Sequence, residues 1–290
     1  MIMNVYFEKC TDALGYAIET KTYGIFHSTK NNPNFDIHSH ECCEILFCLK
    51  GGKNFLIDDK IYKACDGNVF ILNQFEAHKI TFEEDCPVER FVLQLHPEFI
   101  FSASTDDTDL SRCFYIRNEN TSNCIALNKE EKDYLEDLFL SLKKEYDYGE
   151  DVMKNAIMLQ LLAFVNQKFV TNHSAEYKIP EEQLKKAVLF INEHLCDKLT
   201  LEMIAKELYI SVNQLCKLFK SALGTTVMKY VVGKRISQAK KYLKSGISVS
   251  ETAEKCGFYD YANFIRTFTK CVGTSPGKYK NTIDKAAKMR

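Results

Sequence analysis

At 290 residues, with 46% hydrophobic and 27% charged residues, the chain is long enough for two domains with separate cores. The N-terminus meets Glu8 before any long apolar run, and no stretch approaches the roughly 20 apolar residues of a membrane span. The net charge of −1 hides a basic C-terminal part, with 20 Lys and Arg against 10 Asp and Glu from Glu181 to Arg290. These features predict a cytoplasmic protein with no membrane partner, one domain of which binds a polyanion.

The twelve cysteines contain no C-x-x-C pair, and most lie in apolar runs, for example Cys48, Cys65, Cys216 and Cys271. In such surroundings cysteine behaves as a small hydrophobic residue. We therefore expect reduced thiols rather than a disulfide framework.

Residues 20–100 are predicted to form short strands, separated by turn signals such as Lys50-Gly51-Gly52 and Asp58-Asp59-Lys60. The predicted strands are Tyr23–His27, Glu44–Leu49, Asn54–Ile57, Asn68–Leu72, His78–Phe82 and Arg90–Leu95. Several short strands at this spacing favour a small antiparallel barrel or sandwich.

Four residues of this segment have side chains that bind metals or polar ligands: His38, His40, Glu44 and His78. Residues two apart on a strand face the same side, so His38 and His40 could converge with the other two inside a barrel. Three imidazoles and one carboxylate are a suitable ligand set for a transition metal.

The spacing of these four residues, with Gly51 and Gly67, resembles the two motifs of the cupin barrel, where they match the metal-ligand positions. Asn73 and Phe75 replace the Pro and Gly of the second motif. Many cupin-like sensor domains retain the His-x-His pair without a metal. The favoured interpretation is therefore a metal-free effector pocket or a vestigial motif, and the alternative is a metal site formed by the same residues.

From residue 129 to residue 170 the apolar residues recur at helical spacing, with a break at Tyr148-Gly149. One stripe contains Leu135, Leu138, Phe139, Leu142 and Tyr146, and the other contains Val152, Ala156, Leu159, Ala163 and Asn166. We expect an antiparallel helix pair that either packs against the barrel or forms the contact surface of a homodimer.

Residues 171–180 are polar and lack periodicity, so they are interpreted as an interdomain linker. Pro180 suits the first position of a helix, and Glu181 suits the positive end of its dipole. The predicted domains are an effector-sensing domain over residues 1–128, a helix pair over 129–170, the linker over 171–180 and a helical domain over 181–290.

The sequence of the helical domain contains an internal repeat. Ala205 and Ala253 lie 48 residues apart, and Leu215 and Phe264 lie 49 apart. A small residue at the centre of each first helix lets a second helix cross closely, as a helix-turn-helix requires. The repeat therefore predicts two helix-turn-helix units, and the capping boxes Ser211-x-x-Gln214 and Ser248-x-x-Glu251 mark helix starts within them.

The second helix of each unit is predicted to bury one apolar face, formed by Leu215, Leu218, Phe219 and Ala222 and by Phe264, Thr267, Phe268 and Cys271. The outward residues are Asn213, Gln214, Lys217, Lys220 and Ser221 in the first unit and Tyr261, Ala262, Asn263, Arg266 and Lys270 in the second. Amides and cations suit base edges and phosphates in the major groove.

Between the units, Val227–Lys244 is predicted to form one helix that ends at Gly246. Its 18 residues span about 27 Å at roughly 1.5 Å per residue. A rigid spacer of that length can hold two recognition helices about one DNA turn, roughly 34 Å, apart.

The second unit carries a longer motif: Ala253, Gly257 and Phe258, then Phe264 and Phe268, then Gly273-Thr274-Ser275-Pro276 and Tyr279. This motif closely resembles the signature of AraC-type transcription regulators. A cupin-like sensor ahead of such a domain is that family's common architecture, so the resemblance covers nearly the whole chain. It implies base contacts from Asn213, Cys216 and Lys217 and from Tyr261, Ala262 and Arg266. Tyr209 stands in the first turn, where family members often have Gly.

The leading hypothesis is therefore an α+β multidomain protein, with a cupin-like antiparallel β-barrel and helix pair followed by an all-α domain with two helix-turn-helix motifs. Its function is sequence-specific transcription regulation, more often activation in this family, in response to a small-molecule effector. The implied partners are duplex DNA, the effector, a second copy of the chain and, for an activator, RNA polymerase; no cofactor or catalytic residue is implied.

Two alternatives remain open at the level of sequence. One is a metal-dependent cupin enzyme with an accessory DNA-binding domain, which depends on the three histidines and Glu44. The other is an effector-independent factor whose barrel serves only to dimerise.

Overall fold

The N-terminal half is built on two β-sheets that pack against each other. The computed structural model describes residues 5–29, 36–82, 87–116, 121–171, 182–223 and 225–281. Its strands are β1 (Tyr6–Phe7), β2 (Tyr23–Ser28), β3 (Cys43–Lys50), β4 (Asn54–Ile57), β5 (Lys60–Lys63), β6 (Asn68–Leu72), β7 (His78–Ile80), β8 (Glu89–Leu95) and β9 (Cys124–Ala126). One sheet has the order β1-β2-β8-β3-β6-β9 and the other has the order β5-β4-β7. β1 pairs with β2 in parallel, and the other pairs of these strands are antiparallel.

The six strands predicted from the sequence are confirmed, with ends that differ by at most two residues. Strands β1, β5 and β9, which are short, were not predicted from the sequence. Lys60, assigned to a turn, instead begins β5, which pairs with β4 from Asn54↔Lys63 to Ile57↔Lys60. The turn is therefore tighter than predicted, and Asp58 adopts a left-handed φ of 51° within it.

Alternating side chains of the large sheet enter two separate cores. Along β3, Leu46 and Cys48 point between the sheets and contact Phe55 and Phe70, forming what we call the barrel core. Ile45 and the other residues of opposite orientation point to the outer face of the sheet, against helices. Because β3 is buried on both faces, its sequence is a nearly continuous run of apolar residues.

Helices α1 (Cys10–Thr20), α2 (Pro97–Ala103) and α3 (Arg112–Tyr115) accompany the sheets, and α4 (Lys129–Lys143) and α5 (Glu150–Thr171) form the predicted helix pair. A capping box between Asn128 and Glu131 starts α4. The stripe predicted on α4 is buried, apart from Tyr146, which lies beyond the helix and is half-buried.

The stripe predicted on α5 lies mostly on the exposed side of the helix. Of its residues only Asn166 is buried, whereas Val152 and Leu159 are exposed. The buried face contains Lys154, Met158, Leu161, Leu162, Val165 and Asn166. Because α5 carries apolar residues on both sides, periodicity alone could not identify the inner face.

The C-terminal half is helical: α6 (Glu182–Glu193), α7 (Leu201–Glu207), α8 (Val212–Leu223), α9 (Val227–Lys244), α10 (Val249–Lys255) and α11 (Tyr261–Val272). The two helix-turn-helix units are α7–α8 and α10–α11, and α9 has the predicted bounds. The predicted linker lies outside the described residues except for Thr171, which ends α5. Cys271, predicted to be buried, is exposed, because α11 buries only Phe264 and Phe268.

Every cysteine within the described residues is a free thiol. Of the four expected to be small core residues, Cys48 is buried and Cys216 is half-buried, whereas Cys65 and Cys271 are exposed. Among the described helices, none combines the length and the apolar character that crossing a membrane requires.

Candidate nucleic-acid interface and histidine cluster

The exposed face of α8 presents the first set of candidate readers. Asn213, Gln214, Lys217 and Lys220 are exposed, and Cys216 is half-buried. A surface depression lies along this face, lined by Gln183, Gln214, Lys217, Leu218, Lys220 and Ser221. The opposite face of the helix is anchored in the core by Leu215 and Phe219, so the cations necessarily point to solvent.

Gln214 is exposed but also forms hydrogen bonds within the protein. Its side-chain oxygen accepts hydrogen bonds from the backbone N–H of Ser211 at 2.8 Å and from the Ser211 hydroxyl at 2.9 Å. In return, the Ser211 hydroxyl accepts from the Gln214 backbone N–H at 3.2 Å, completing the predicted capping box. Only the amide nitrogen of Gln214 therefore keeps its full capacity to donate to a base.

The exposed face of α11 presents the second set, which contains Tyr261, Ala262, Asn263, Arg266 and Lys270, all exposed. Asp260 caps this helix by accepting from the backbone N–H groups of Ala262 and Asn263. Its carboxylate lies 3.9 Å from the Arg266 guanidinium. Each predicted reader thus lies on the second helix of its unit, and its contact with bases stays a prediction.

The four barrel residues singled out from the sequence are brought together. His38 pairs with His78 across a β-bridge, and the ring centroids of His38, His40 and His78 lie 4.3 to 6.1 Å apart. One ligand atom from each ring lies within 4.8 Å of the others. His40, Glu44 and His78 are buried, and His38 is exposed at the edge of the cluster.

Hydrogen bonds fix the orientation of each ring. The Nδ1 atoms of His38, His40 and His78 lie 3.1, 3.0 and 2.9 Å from the carbonyl oxygens of Asp36, Cys42 and Glu76. Because a carbonyl only accepts, each Nδ1 carries the proton and donates, which leaves the three Nε2 atoms as the remaining ring nitrogens.

Glu44 lies at the bottom of the cluster. Its Oε2 atom is 3.0 Å from His40 Nε2 and accepts from Gln94 Nε2 at 2.5 Å. Burial raises the pKa of Glu44, but the hydrogen bond with His40 and the nearby histidines have the larger, opposite effect. The resulting pKa of Glu44 is lowered to about 2. Burial also lowers the pKa of His78. The site therefore holds a carboxylate beside a neutral imidazole.

Two protein families match this chain. Residues 23–162 match the AraC-like ligand binding domain, and residues 204–282 match a helix-turn-helix domain. Together the matches span more than half of the chain, in the order of domains seen in the fold. The chain belongs to the AraC-type family of transcription regulators.

Two relatives match over most of their length at low identity, and a third matches over about a third of its length. An uncharacterized HTH-type transcriptional regulator, YdeC from Bacillus subtilis, is 24% identical over 86% of this chain and 87% of its own length. The transcriptional activator RhaR from Mannheimia succiniciproducens is 21% identical over 87% of this chain and 90% of its own. The arabinose operon regulatory protein of Escherichia coli is 30% identical over 34% of this chain and 35% of its own.

Among solved structures, the DNA-binding domain of AdpA in complex with a target DNA is 27% identical and covers 35% of this chain and 93% of its own, with a TM-score of 0.34. ToxT from Vibrio cholerae is 13% identical and covers 91% of this chain and 98% of its own, with a TM-score of 0.36.

In this AraC-type chain the sensor and the DNA-binding units are in direct contact, and no such contact was predicted from the sequence. Ile37, Leu56 and Ala77 of the barrel share one hydrophobic cluster with α6–α9. Gly233 in α9 lies against Ile37, because a Cβ atom at this position would lie 2.6 Å from Ile37 Cγ2. A side chain at position 233 would therefore force Ile37 or the barrel segment around it to shift.

Polar contacts extend along the same face of α9. Lys229 pairs with Asp36 at 3.0 Å, Lys234 pairs with Asp58 at 2.8 Å, Ser237 donates to the Phe75 carbonyl, and Lys240 donates to the Ser39 carbonyl at 2.7 Å. Beyond α11, the Tyr279 hydroxyl donates to Glu41 at 2.6 Å. We call this set of contacts, with the cluster around Ile37, the docking interface.

The signal for the docking interface is weak in the sequence. Tyr230, Ser237 and Lys240 are polar or amphipathic residues at helical spacing, which is also the pattern of a solvated helix face. Their burial becomes understandable only once the barrel supplies carbonyl and carboxylate partners. Gly233 was the clearest available sign, since glycine inside a helix costs about 1 kcal/mol relative to alanine unless packing requires it.

Proposed function

We propose that this protein is an effector-responsive transcription activator that binds duplex DNA in the cytoplasm through α8 and α11, and that it is not an enzyme. The observation that carries the proposal is the placement of exposed amides and cations on the second helix of both helix-turn-helix units, joined by one continuous helix. In this scheme residues 1–128 sense the effector, 171–180 link the halves and 181–290 bind DNA, with RNA polymerase as the further partner of an activator.

The test is an unbiased selection of duplex sequences with the full-length chain at low salt. We expect enrichment of a sequence whose two halves lie on one face of the DNA, about one turn apart. For that sequence, log K should fall linearly with log salt, with a slope of about −0.9 per phosphate neutralised. A library with no enriched sequence at low salt would contradict the proposal.

We further propose that residues 129–170 form a homodimer contact. Val152, Met153, Leu159 and Val170 of α5 are exposed apolar residues, with Val152 65% exposed. A regulator that reads paired half-sites needs such a contact. We expect Leu159→Glu to shift the molar mass measured by light scattering from dimer to monomer, whereas the exposed polar residue Gln160 changed to Glu should leave it unchanged. A monomeric unmodified chain at micromolar concentration would refute this contact.

The effector is expected to act at His38, His40, Glu44 and His78, because these four residues converge beside the docking interface. An effector bound there can change the contact between sensor and DNA-binding units only if it prefers one of their two arrangements. A thermal-shift screen of candidate effectors is the direct test, with stabilisation as the expected response.

A further inference from the structure

A cavity of about 300 Å³ lies at the docking interface and is separate from the histidine cluster. Its polar lining comes from three elements. The barrel contributes Asp58 and Asp59 from the turn between β4 and β5, α6 contributes Asn192, and α9 contributes Lys234, Gln238 and Lys241. None of these residues belongs to the histidine cluster or to the candidate readers of DNA.

Two of the lining residues are paired with each other across the interface. Asp58 accepts hydrogen bonds from Lys234 Nζ at 2.8 Å and from the Ala77 backbone N–H at 3.1 Å. Burial raises the pKa of Asp58, but Lys234 and Lys241 lower it by more, so the carboxylate stays charged. This ion pair therefore holds the barrel against α9 and forms one wall of the cavity.

The other polar groups of the cavity are not satisfied by the protein. The side-chain oxygen of Asn192 is buried and has no hydrogen-bond partner in the part of the chain that the structure describes. A buried acceptor without a partner is costly. The side chains of Asp59 and Lys241 form no hydrogen bond or ion pair with any described residue. The cavity thus presents a free acceptor, a free carboxylate and a free ammonium group.

These groups define the chemistry of a complementary ligand. Two Asp and two Lys give the lining no net charge, so neither a simple anion nor a simple cation is favoured. An ammonium group of a ligand can donate to Asp59 and to the Asn192 oxygen, and a carboxylate can accept from Lys241 and the Gln238 amide. An uncharged polyol would also be neutral, but it would form weaker bonds with the two charged side chains.

The size of the cavity agrees with a small metabolite. Its volume of about 300 Å³ equals that of about ten water molecules, at roughly 30 Å³ each in the liquid. It also lies at the lower end of the usual range for ligand pockets, roughly 300–1,000 Å³. A ligand of about ten heavy atoms therefore fills it.

We propose that this cavity binds a small zwitterion of the amino-acid class, with the ammonium group at Asp59 and Asn192 and the carboxylate at Lys241 and Gln238. This is a second ligand site, in addition to the effector site at the histidine cluster. It goes beyond the proposed function, because it adds a molecule that acts between the two halves of the chain.

The position of the cavity fixes the direction of its effect. Its acidic wall belongs to the barrel, whereas its amides and cations belong to α6 and α9, so the complete site exists only while the halves are docked. A ligand that contacts both walls binds the docked arrangement more tightly than a released one. By reciprocity, the ligand favours docking by the same factor by which docking favours the ligand.

The first experiment screens the standard L-amino acids one at a time against the full-length chain. At about 10 mM we expect at least one of them to raise Tm by about 2 °C or more. Its amide lacks the carboxylate charge and its N-acetyl derivative lacks the ammonium charge, so each should bind at least about tenfold more weakly by calorimetry. No shift with any amino acid, or shifts with monosaccharides only, would overturn the ligand class.

Variants of the lining locate the bound amino acid. Asp59→Asn and Lys241→Met, at residues that are half-buried and exposed, should each lower affinity at least about tenfold while leaving the fold intact. The matched controls are Asp133→Asn and Lys143→Met, at exposed positions of α4, which should leave affinity unchanged. If both lining variants bound the amino acid as tightly as the unmodified chain, its site would lie elsewhere and the assignment would be wrong.

The second experiment tests the coupling with a variant outside the lining. Gly233→Leu places a side chain where Ile37 lies, so it should loosen the docking interface and lower amino-acid affinity by about fivefold or more. Gly15→Leu, at a helical position with open space around it, is the control and should have no effect. Conversely, the amino acid should slow hydrogen exchange in α9 of the unmodified chain. Unchanged affinity in Gly233→Leu overturns the coupling.

The outcomes separate this inference from the proposed function. A chain that selects a DNA sequence but binds no amino acid overturns the site and leaves the proposed function in place. Amino-acid binding that is lost in Asp59→Asn and Lys241→Met, by a chain that selects no DNA sequence, would refute the proposed function and leave the site in place.

Discussion

The two helix-turn-helix units come from one repeated pattern but lie in different surroundings. The first shares its hydrophobic cluster with Ile37, Leu56 and Ala77 of the barrel, and Asn54 donates to the Ala222 carbonyl in α8 at 3.0 Å. The second has its own cluster, centred on Phe264 and Phe268 with the end of α9. The barrel therefore contacts the first unit directly, whereas the second unit is connected to it through α9 and Tyr279.

The largest expected effects come from emptying the two cores. Phe219 and Phe268 occupy equivalent positions and are both fully buried. Changing either to Ala should cost about 3–5 kcal/mol locally, from lost burial and the cavity left behind. In hydrogen exchange, Phe219→Ala should also accelerate exchange in β4 of the barrel, whereas Phe268→Ala should not. Equal effects on β4 would show that the two units are coupled to the barrel alike.

The turns of the two units differ at Tyr209 and Gly257, which lie 48 residues apart. Both adopt left-handed φ, 56° and 72°, but a Cβ atom at Gly257 would lie 2.7 Å from the Cys196 carbonyl oxygen, whereas Tyr209 is 96% exposed. Gly257→Ala should therefore destabilise the second unit by more than about 2 kcal/mol, measured as a fall in calorimetric Tm. Tyr209→Ala, the matched change, should alter Tm by less than about 2 °C.

The recognition helices should also respond unequally to loss of a cation. Lys217→Ala and Arg266→Ala are each expected to weaken DNA binding by about 1–3 kcal/mol and to alter the selected sequence. The loss should be larger for Lys217, which has Lys220 beside it, because Asp260 lies 3.9 Å from Arg266 and already offsets its charge. Binding is measured by fluorescence anisotropy at fixed salt. An unchanged selection profile would remove the altered residue as a reader.

Elements whose structure is determined by local chemistry alone could be predicted from the sequence. The bounds of α9 follow from Thr226, whose hydroxyl caps the helix, and from the apolar spacing up to Lys244. The strands of the barrel follow from short apolar runs between turn residues. The histidine cluster was found as a set because strand alternation and a family resemblance both pointed to the same four residues.

Burial could not be predicted from the sequence where it depends on a surface that is distant in the chain. Both faces of α5 carry apolar residues, so the sequence left open whether the stripe with Leu159 packs inward, and in the structure Met158 occupies the core instead. Cys271 was assigned to the core of the second unit, but its position on α11 faces solvent. The face of α9 that contacts the barrel could not be distinguished from a solvated one, because the residues it meets are about 200 positions away, as with Lys240 and Ser39.

The smallest expected difference lies in the helix caps. Ser211 and Ser248 each accept a hydrogen bond from the backbone N–H three residues later at 3.2 Å. Changing either to Ala should cost about 1 kcal/mol in stability. Only Ser211 also donates to Gln214 in α8, whereas Glu251, at the same position of the Ser248 capping box, pairs with Lys255 on α10, the first helix of its unit, which carries no candidate reader.

If Gln214 contacts a base as proposed, Ser211→Ala should change the base preference at that position, because the side-chain amide of Gln214 loses one of the bonds that orient it. Ser248→Ala should lower stability without altering that preference. Both are measured by repeating the duplex selection at a temperature where each variant is fully folded. If Ser248→Ala also shifted the preference, or Ser211→Ala left it unchanged, the capping contact would be structural only, and Gln214 would no longer distinguish the first reader from the second.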